Sequence, residues 1–188
     1  MNMVHTFAIC AYGESPYLEE CIQSLLNQKT ESKILIATST PNRQILEMGE
    51  KYDIPIFVNY LEKGLAGDWN FAYNCANTPL VTLAHQDDRY YENYTEDILT
   101  AAKKCRHPLI LFTDYNELRN GKTVTDNRLL KVKRLLLSPL KLPIFWKSRF
   151  IRRRILSIGS AICCPAVTLA TDNLPGFFFK NNMKSNID

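Results

Sequence analysis

An apolar run that ends in two adjacent carboxylates lies in the middle of the chain, at Leu80-Val81-Thr82-Leu83-Ala84-His85-Gln86-Asp87-Asp88. Neighbouring carboxylates repel each other and shift each other's pKa unless a cation or hydrogen bonds hold them. Carboxylate oxygens suit hard divalent ions, and ligands of open α/β sheets collect at the carboxyl ends of the strands. The run therefore predicts a strand that ends at a metal site. The alternative is that Asp87 and Asp88 only stop the strand and cap a helix near Glu92.

On both sides of this run, apolar β-prone segments alternate with amphipathic helical patterns. We predict strands over 6–11, 33–38, 54–59, 79–84 and 109–114, and helices over 16–28, 44–52, 68–75 and 94–105. Ser15 is the expected cap of the first helix, and 64–67 is an expected loop. Such alternation indicates βαβ units, and hence an α/β fold with a mostly parallel sheet flanked by helices.

The rest of the chain carries fewer signals. Asn120-Gly121 lies between the short segments 114–118 and 122–124 and predicts a β-hairpin. Pro139 and Pro143 exclude a long helix in the segment that follows. The apolar run 160–167 predicts one more strand. A length of 188 residues fits a single domain with a substantial core.

The composition, with 46% hydrophobic and 22% charged residues, is typical of a soluble globular protein. No apolar run reaches the length of a membrane span, and the N-terminus lacks the pattern of a secretory signal. We therefore expect a cytoplasmic protein. The six cysteines match no zinc-binding spacing, so we expect free, largely buried thiols.

Positive charge is concentrated in the segment 128–154, which holds ten of the chain's 23 Lys and Arg residues and none of its 19 acidic residues. A basic segment on an otherwise acidic chain indicates an anionic partner. Because large apolar residues are interleaved with the charges, one prediction is an amphipathic element that lies on anionic lipid. The alternatives are a solvated helix face and nucleic-acid binding, which no recognised motif supports.

Three motifs follow one another in the first 118 residues. They are Phe7-Ala8-Ile9-Cys10-Ala11-Tyr12-Gly13-Glu14 with the helical segment 17–28, Gly64 with Asp68-Trp69-Asn70, and His85-Gln86-Asp87-Asp88, fifteen residues after Asn70. In this order and spacing they resemble the family 2 glycosyltransferases over residues 5–118. The resemblance implies a GT-A-type, Rossmann-like single domain. Its nucleotide-sugar-binding core would span 1–118, and a basic segment with a partial acceptor-side region would span 119–188.

The resemblance also implies a reaction. Family members move a sugar from a nucleotide-diphosphate sugar to a hydroxyl of a glycan or lipid-linked acceptor, as in bacterial polysaccharide or glycolipid synthesis. A divalent cation, Mn²⁺ or Mg²⁺, assists departure of the diphosphate. Asp87 is then the expected metal ligand, with Asp88 as a second ligand or as the partner of a metal-bound water. Inversion at the anomeric carbon is the expected stereochemistry.

Contacts with the donor follow from the same resemblance. Tyr12 and Glu14, in the turn after Ala11, are expected to contact the base and ribose. The residues alone favour plain packing for Tyr12 and, for Glu14, a charge that stabilises a helix start. Side chains of 128–154 would either contact the donor diphosphate or bring the enzyme to a membrane that carries its acceptor.

The second motif and the end of the second strand complete the expected donor site. Gly64, Asp68 and Asn70 are expected to face the nucleotide or to hold the metal loop. Thr38-Ser39-Thr40 stands where the family commonly has two aspartates that bind uracil, and we expect Thr38 and Ser39 to contact the donor. Hydroxyls bind a base less strongly than ionised groups, so the identity of the donor base stays open.

Two further positions depart from the family pattern. His85 replaces an aspartate that contacts the sugar or ribose, although an imidazole can still donate a hydrogen bond or bind a metal. Trp69 replaces an arginine, and we expect its ring to lie in the core.

The end of the sequence reads Ser185-Asn186-Ile187-Asp188, which resembles the start of the acidic segment that carries the family's general base. We expect Asp188 to be that base and to be poorly held at a terminus. We also expect the chain to be a shortened form with reduced or absent activity. Two alternatives are a non-catalytic nucleotide-binding remnant and a nucleotidyltransferase on a related fold, although the turn after Ala11 is not a glycine-rich phosphate loop.

Overall fold

The computed structural model describes residues 4–62, 64–119 and 121–180. In chain order its main elements are β1 (His5–Ala11), α1 (Leu18–Leu26), β2 (Lys33–Thr38), α2 (Arg43–Tyr52), β3 (Ile56–Val58), α3 (Leu65–Cys75), β4 (Leu80–His85), α4 (Tyr94–Lys104), β5 (Ile110–Phe112), β6 (Glu117–Arg119), β7 (Lys122–Val124), α5 (Arg128–Leu137), α6 (Arg149–Ile158) and β8 (Val167–Ala170). The described residues form two compact units. The first unit comprises those up to Thr113 and from Val167 onward, and the second comprises Asp114–Ala166.

The first unit is built around a six-stranded sheet in the order β3-β2-β1-β4-β8-β5. Strands β1 to β4 pair in parallel, whereas β8 lies antiparallel between β4 and β5. Helices connect the parallel strands, because a parallel pair needs a long crossover. This arrangement confirms the predicted α/β fold with a mostly parallel sheet.

The core of the first unit forms where α1 covers the central strands. Phe7, Ile9 and Ile36 are fully buried, since central parallel strands are covered on both faces. Helix α1 buries Leu18, Cys21, Ile22 and Leu25, which recur at helical spacing on one side. The apolar pattern that predicted these elements is therefore the pattern that packs them.

The two edge strands are shorter than predicted. Strands β3 and β5 have three residues each, against six predicted for 54–59 and 109–114. Each pairs with a neighbour on one side only, because they lie at opposite edges of the sheet. In both segments the apolar residues extend beyond those that pair with the neighbouring strand. A prediction from apolar content therefore overestimates the length of an edge strand.

Helix α3 begins at Leu65, so the predicted loop over 64–67 is wrong. Gly64 precedes the helix with φ of 105°, and its carbonyl accepts from the N–H of Asp68 at 2.8 Å. Gly67 lies in the first turn, where a Cβ would come within 2.4 Å of the Glu62 carbonyl oxygen. The two glycines thus start a helix and permit a close backbone contact.

The first helix and the last strand also depart from the predictions. Helix α1 is preceded by Tyr17, whereas the predicted cap, Ser15, accepts from the Tyr17 N–H at 3.3 Å before the helix starts. Within the apolar run 160–167, Cys164–Ala166 is a short 3-10 turn and β8 begins only at Val167. Pro165 has no N–H for a strand ladder, which explains the shift.

The second unit contains a hairpin and two short helices. Strands β6 and β7 pair antiparallel around Gly121, which has φ of 73°, and this confirms the predicted hairpin. Helix α5 ends before Pro139, and α6 begins after Pro143, as the prolines predict. Each helix starts with a side-chain cap, from Asn127 in α5 and from Ser148 in α6.

Two bulk expectations are also tested by the described residues. None of their helices is long and apolar enough to cross a membrane. All six cysteines are free thiols, of which Cys21 is buried and the other five are half-buried.

Candidate active site

The carboxyl ends of β1 and β4 meet where the connections of the sheet diverge. From β1 the chain continues to β2 on one side, whereas from β4 it continues through α4 towards β5 on the other. Such a switch point leaves a crevice between the two loops, and open α/β sheets bind ligands there. The residues that follow β1 and β4 therefore define the candidate site.

Three potential metal ligands lie at the end of β4. One ligand atom from each of His85, Asp87 and Asp88 lies within 4.8 Å of the others, and Asp87 is exposed. The N–H of Asp88 donates to the carbonyl of His85 at 3.1 Å, so a tight turn holds the group together. Helix α4 begins only after Asn93. The alternative that the two aspartates cap this helix is therefore wrong.

The carboxylates of this turn influence each other and the thiol of helix α1. Burial, and then the charge of Asp87, raises the pKa of Asp88 to about 6. Burial, together with both carboxylates, raises the pKa of Cys21 to about 12. The protonated Cys21 thiol donates to the carbonyl of His85 at 3.3 Å. Negative charge at this turn is thus costly unless something offsets it.

A side-chain amide fixes the loop after β1. Gln86 Nε2 donates to the carbonyl of Tyr12 at 2.8 Å, and Gln86 Oε1 accepts from the Tyr12 N–H at 3.1 Å. The N–H of Gly13 donates to Thr40 Oγ1 at 2.7 Å. The Tyr12 ring nevertheless stays 66% exposed, and Glu14 is exposed as well. The backbone is held, while both side chains remain open to a ligand.

A second polar group joins β2, β3 and α3. Asp68 Oδ2 accepts from Ser39 Oγ at 2.9 Å, and Asp68 Oδ1 accepts from Asn59 Nδ2 at 2.9 Å. The amide of Asn59, which is buried, also donates to the carbonyl of Glu62 at 2.7 Å. Both carboxylate oxygens of Asp68 therefore accept hydrogen bonds that connect α3 to the ends of β2 and β3.

Three other residues that were predicted to contact the nucleotide sugar lie at the edge of this region. Ala11 and Thr38 are the last residues of β1 and β2, and they face each other in the register. Both are buried, and Thr38 Oγ1 accepts from the N–H of Thr40 at 3.0 Å. Gly64 is exposed at the start of α3. Their contact with a donor stays a prediction.

Aromatic rings support His85 from the side of α3. Trp69 is buried, as predicted, and stacks on the His85 imidazole with centroids 5.4 Å apart. Phe179 packs edge-on against Trp69 at 5.2 Å. Asn70 Nδ2 donates to the carbonyl of Phe179 at 2.9 Å, and Asn70 Oδ1 accepts from its N–H at 2.6 Å. The segment at Phe179 therefore holds the ring that lies against His85.

Sequence reasoning missed three residues of this arrangement, namely Asn59, Gln86 and Phe179. The first two are polar residues that follow strands, and that position is a usable signal because parallel strands gather their carboxyl ends. No local signal marks Phe179, which is 109 residues from its partner Asn70. The predicted base, Asp188, lies outside the described residues.

Comparison with known proteins identifies the family to which the chain belongs. The sequence matches the model of the family described as Glycosyl transferase family 2 over residues 6–163. This span is most of the chain, so the chain belongs to glycosyltransferase family 2. No curated protein matches the sequence.

Solved structures share the fold. Staphylococcus aureus TarS 1–349 in complex with UDP-GlcNAc matches with a TM-score of 0.55 and 22% identity, over 66% of this chain and 37% of that one. Glucosyl-3-phosphoglycerate synthase from Mycobacterium tuberculosis, in complex with UDP, matches with a TM-score of 0.58 and 9% identity, over 92% and 58%. The mannosyltransferase PcManGT from Pyrobaculum calidifontis, with GDP-Man and Mn²⁺, matches with 0.51 and 14%, over 63% and 37%.

These likenesses confirm the GT-A-type fold. At identities of 9 to 22% they show the architecture alone. The chain spans 37 to 58% of the length of these three neighbours.

Proposed function

We propose that the protein transfers a glycosyl unit from a nucleotide-diphosphate sugar to a hydroxyl acceptor, with a divalent cation held by Asp87 and Asp88. One observation carries this proposal: His85, Asp87 and Asp88 gather at the switch point between β1 and β4. Family membership supports it, as do neighbours of the same fold in complex with UDP-GlcNAc, UDP and GDP-Man.

The donor atoms of the site fit a divalent cation. Carboxylate oxygens are preferred by Mg²⁺ and Mn²⁺, and an imidazole suits a transition-metal ion, which favours Mn²⁺ here. Burial of Asp88 beside Asp87 makes the ionised pair costly, and a bound cation would offset that cost. When bound, the cation would neutralise charge on the departing diphosphate.

The loop after β1 would bind the nucleoside. The exposed Tyr12 ring offers a face on which a base can stack, and the Glu14 carboxylate can accept hydrogen bonds from ribose hydroxyls. Gln86 holds the backbone of Tyr12 through two hydrogen bonds, so the ring needs little reorganisation on binding. Ala11, Thr38 and Gly64 remain proposed members of this donor site.

The hydrogen-bonded group behind this loop would shape the donor site. Ser39, Asn59 and Asp68 tie the ends of β2 and β3 to α3. The donor base stays open between uridine and guanosine, because the site has hydroxyls where the family commonly has acidic residues.

The acceptor would react by single displacement. Its hydroxyl oxygen forms a bond to the anomeric carbon as the bond from that carbon to the diphosphate breaks, which inverts the configuration. A carboxylate base takes the hydroxyl proton, and the nucleoside diphosphate leaves with the electron pair. We propose Asp188 as this base, by its resemblance to the family's acidic segment.

The cellular setting belongs to the same proposal. The expected acceptors are glycans or lipid-linked glycans of bacterial polysaccharide or glycolipid synthesis. The reaction would take place in the cytoplasm, with peripheral contact between residues 128–154 and a membrane.

Calorimetric titration tests the donor site directly. We expect UDP or GDP to bind, and to bind more tightly with Mn²⁺ present than with EDTA. Asp87→Ala should remove the Mn²⁺ dependence, because it removes the exposed carboxylate of the cluster. Glu96→Ala, which removes an exposed carboxylate from helix α4, is the matched control and should bind as the unaltered protein does.

Two results would contradict the donor site. One is that neither nucleotide binds. The other is that Asp87→Ala keeps the full effect of Mn²⁺.

The proposed base has its own test. Asp188→Asn should lower the rate of sugar transfer by roughly 10²- to 10⁴-fold and leave nucleotide affinity unchanged, because a general base acts on the acceptor only. Equal transfer rates for both proteins would remove Asp188 from the mechanism. Nucleotide binding without transfer in the unaltered protein would instead indicate a nucleotide-binding protein without catalysis.

A further inference from the structure

Helix α6 presents an unusual combination of side chains to solvent. Phe150, Leu156 and Ile158 are each more than 60% exposed, although they are large and apolar. The helix buries Ile155 alone among its residues. These three apolar side chains therefore do not serve the packing of their own unit.

Three arginines lie with Phe150 on one exposed side of α6, and Leu156 and Ile158 lie at the two borders of that side. Arg149, Arg153 and Arg154 are exposed, and within the described part of the chain no carboxylate lies in ion-pair distance of them. The Arg154 guanidinium lies over the Phe150 ring, 5.5 Å from its centroid. Arg149, Phe150, Arg153, Arg154 and Ser157 line one open depression.

Two cations of helix α5, unlike the exposed arginines of α6, form ion pairs. Arg134 pairs with Asp114, and Lys131 pairs with Asp126, so these two cations are neutralised within their own unit. Arg149, Arg153 and Arg154 of α6 have no such ion pair among the described residues. Like charges on adjacent turns repel each other, and an anionic surface would relieve that repulsion.

A lipid surface accommodates both kinds of side chain at once. An interfacial helix places cations among phosphate groups and large apolar side chains at the boundary with the acyl chains. Long arginine side chains can reach the phosphates while their stems stay in apolar surroundings. A single-stranded nucleic acid would instead favour aromatic platforms for base stacking. This face offers only Phe150 for that purpose, beside the aliphatic Leu156 and Ile158.

We propose that the exposed face of α6 docks on the surface of a bilayer that contains anionic phospholipids. Arg149, Arg153 and Arg154 contact the lipid phosphates, Phe150 enters the interface, and Leu156 and Ile158 lie at the borders of the contact. This contact does not depend on the donor chemistry. Its purpose, to bring the enzyme to a lipid-linked acceptor, rests on the proposed function.

Vesicle flotation with the full chain tests the contact. At 0.15 M NaCl, we expect the protein to float with vesicles of phosphatidylcholine and phosphatidylglycerol, and to stay at the bottom with phosphatidylcholine alone. Arg149→Gln with Arg153→Gln should weaken binding roughly 30-fold, since each basic residue near an anionic surface contributes about fivefold. Phe150→Ser should weaken it about tenfold, through lost burial of the ring.

Matched controls remove the same chemistry elsewhere. Lys103→Gln with Lys104→Gln takes two exposed cations from helix α4, and Leu46→Ser takes an exposed aliphatic residue from α2. Both should bind anionic vesicles within twofold of the unaltered protein. Circular dichroism should confirm that all variants keep the helical content of the unaltered protein.

Three results would overturn the proposal. One is equal flotation with both kinds of vesicle, and another is equal weakening by the α6 variants and their controls. The third is displacement of the protein from vesicles by a single-stranded oligonucleotide that binds more tightly through the same arginines.

A nucleotide titration separates this proposal from the donor site. The α6 double variant should bind UDP or GDP with Mn²⁺ as the unaltered protein does. Nucleotide binding without flotation contradicts the lipid contact alone. Flotation without nucleotide binding contradicts the donor site alone.

Discussion

The two units of the chain are stabilised by different interactions. In the first unit, α1 alone buries four residues against the sheet, whereas α5 and α6 of the second unit bury one each, Leu130 and Ile155. The second unit depends instead on Arg134, which donates to the side chains of Asp114 and Asn116 and to two backbone carbonyls. Packing therefore fixes the geometry of the first unit, while the second is held more by polar contacts and exposes large apolar side chains.

The largest expected effect comes from the core of the first unit. Phe7→Ala should lower its free energy of unfolding by about 3–5 kcal/mol, because a fully buried ring is replaced by a cavity. Leu130→Ala should leave that transition in place and affect the second unit. The chain's two tryptophans, Trp69 and Trp146, lie one in each unit. Urea unfolding followed by fluorescence, with the other tryptophan replaced by Phe, reads each transition separately.

A coincident shift of both transitions in either variant would contradict this contrast. It would mean that the two units unfold as one.

Loss of the hydrogen bonds of Arg134 should have a smaller effect, confined to the stability of the second unit. Arg134→Met should destabilise the second unit by about 2–3 kcal/mol, because it leaves a carboxylate and two carbonyls without their charged donor. Arg128→Met, at the exposed start of α5, is the control and should have little effect. Hydrogen exchange of 114–137 measures the loss. Unchanged protection in Arg134→Met would show that the network does not stabilise this unit.

Acid should weaken the first unit through His5. Burial lowers the pKa of His5 from 6.5 to about 3, and its ring nitrogens lie 2.9 Å from Ser32 Oγ and 2.8 Å from Thr82 Oγ1. The unfolded chain takes up a proton below pH 6.5 and the folded chain does not. The stability is therefore fully present above pH 6.5 and is lost as the pH falls towards 3. The loss reaches about 2 kcal/mol at pH 5.

Urea unfolding of His5→Gln at pH 7.5 and pH 5 isolates this effect. The variant should lose about 2 kcal/mol less than the unaltered protein between these two values. Asp88, whose pKa burial raises to about 6, shifts stability in the opposite direction in both proteins and cancels in the comparison. His107→Gln, which removes an exposed histidine, should show the pH dependence of the unaltered protein. An equal pH dependence in His5→Gln would rule out the role of His5.

The smallest expected effect concerns two similar side-chain amides of the first unit, those of Gln86 and Gln44. Gln86 makes two hydrogen bonds to the backbone of Tyr12, and Gln44 makes two to the backbone of Ser15. Replacing either by Ala should cost about 1 kcal/mol of stability. Only Gln86→Ala should also weaken nucleotide binding in calorimetry, by about fivefold, because Gln86 holds the backbone of Tyr12 itself, whereas Gln44 holds that of Ser15. Equal nucleotide affinities for the two variants would show that the Tyr12 loop does not contribute to donor binding.

Much of the fold was predictable because its signals are local. The apolar run 33–38 gave β2 its correct bounds, since a strand buried between two neighbours is apolar along its paired length. The dipeptide Asn120-Gly121 predicted the hairpin correctly, and Gly121 adopts a positive φ between β6 and β7. Gly64 misled the prediction, because a glycine that starts a helix is hard to distinguish from a loop by composition.

The candidate site was predictable only in part. Asp87 and Asp88 were found because two adjacent acids after an apolar run form a local pattern. The positions of Ala11 and Thr38 were also local, but their burial depends on neighbouring strands. The support of His85 by Trp69 and Phe179 depends on a segment that lies far away along the chain.

The linear order of residues was enough to establish an alternating α/β chain, a pair of carboxylates at a strand end and a basic segment without acids. These features depend on residues that are close in sequence. The tertiary structure was needed to insert β8 between β4 and β5, and to bring the Cys21 thiol to the carbonyl of His85. It was also needed to expose the apolar side chains of α6 beside its arginines. Long-range contacts of this kind arise from the joint packing of the sheet and its helices, which no short sequence pattern encodes.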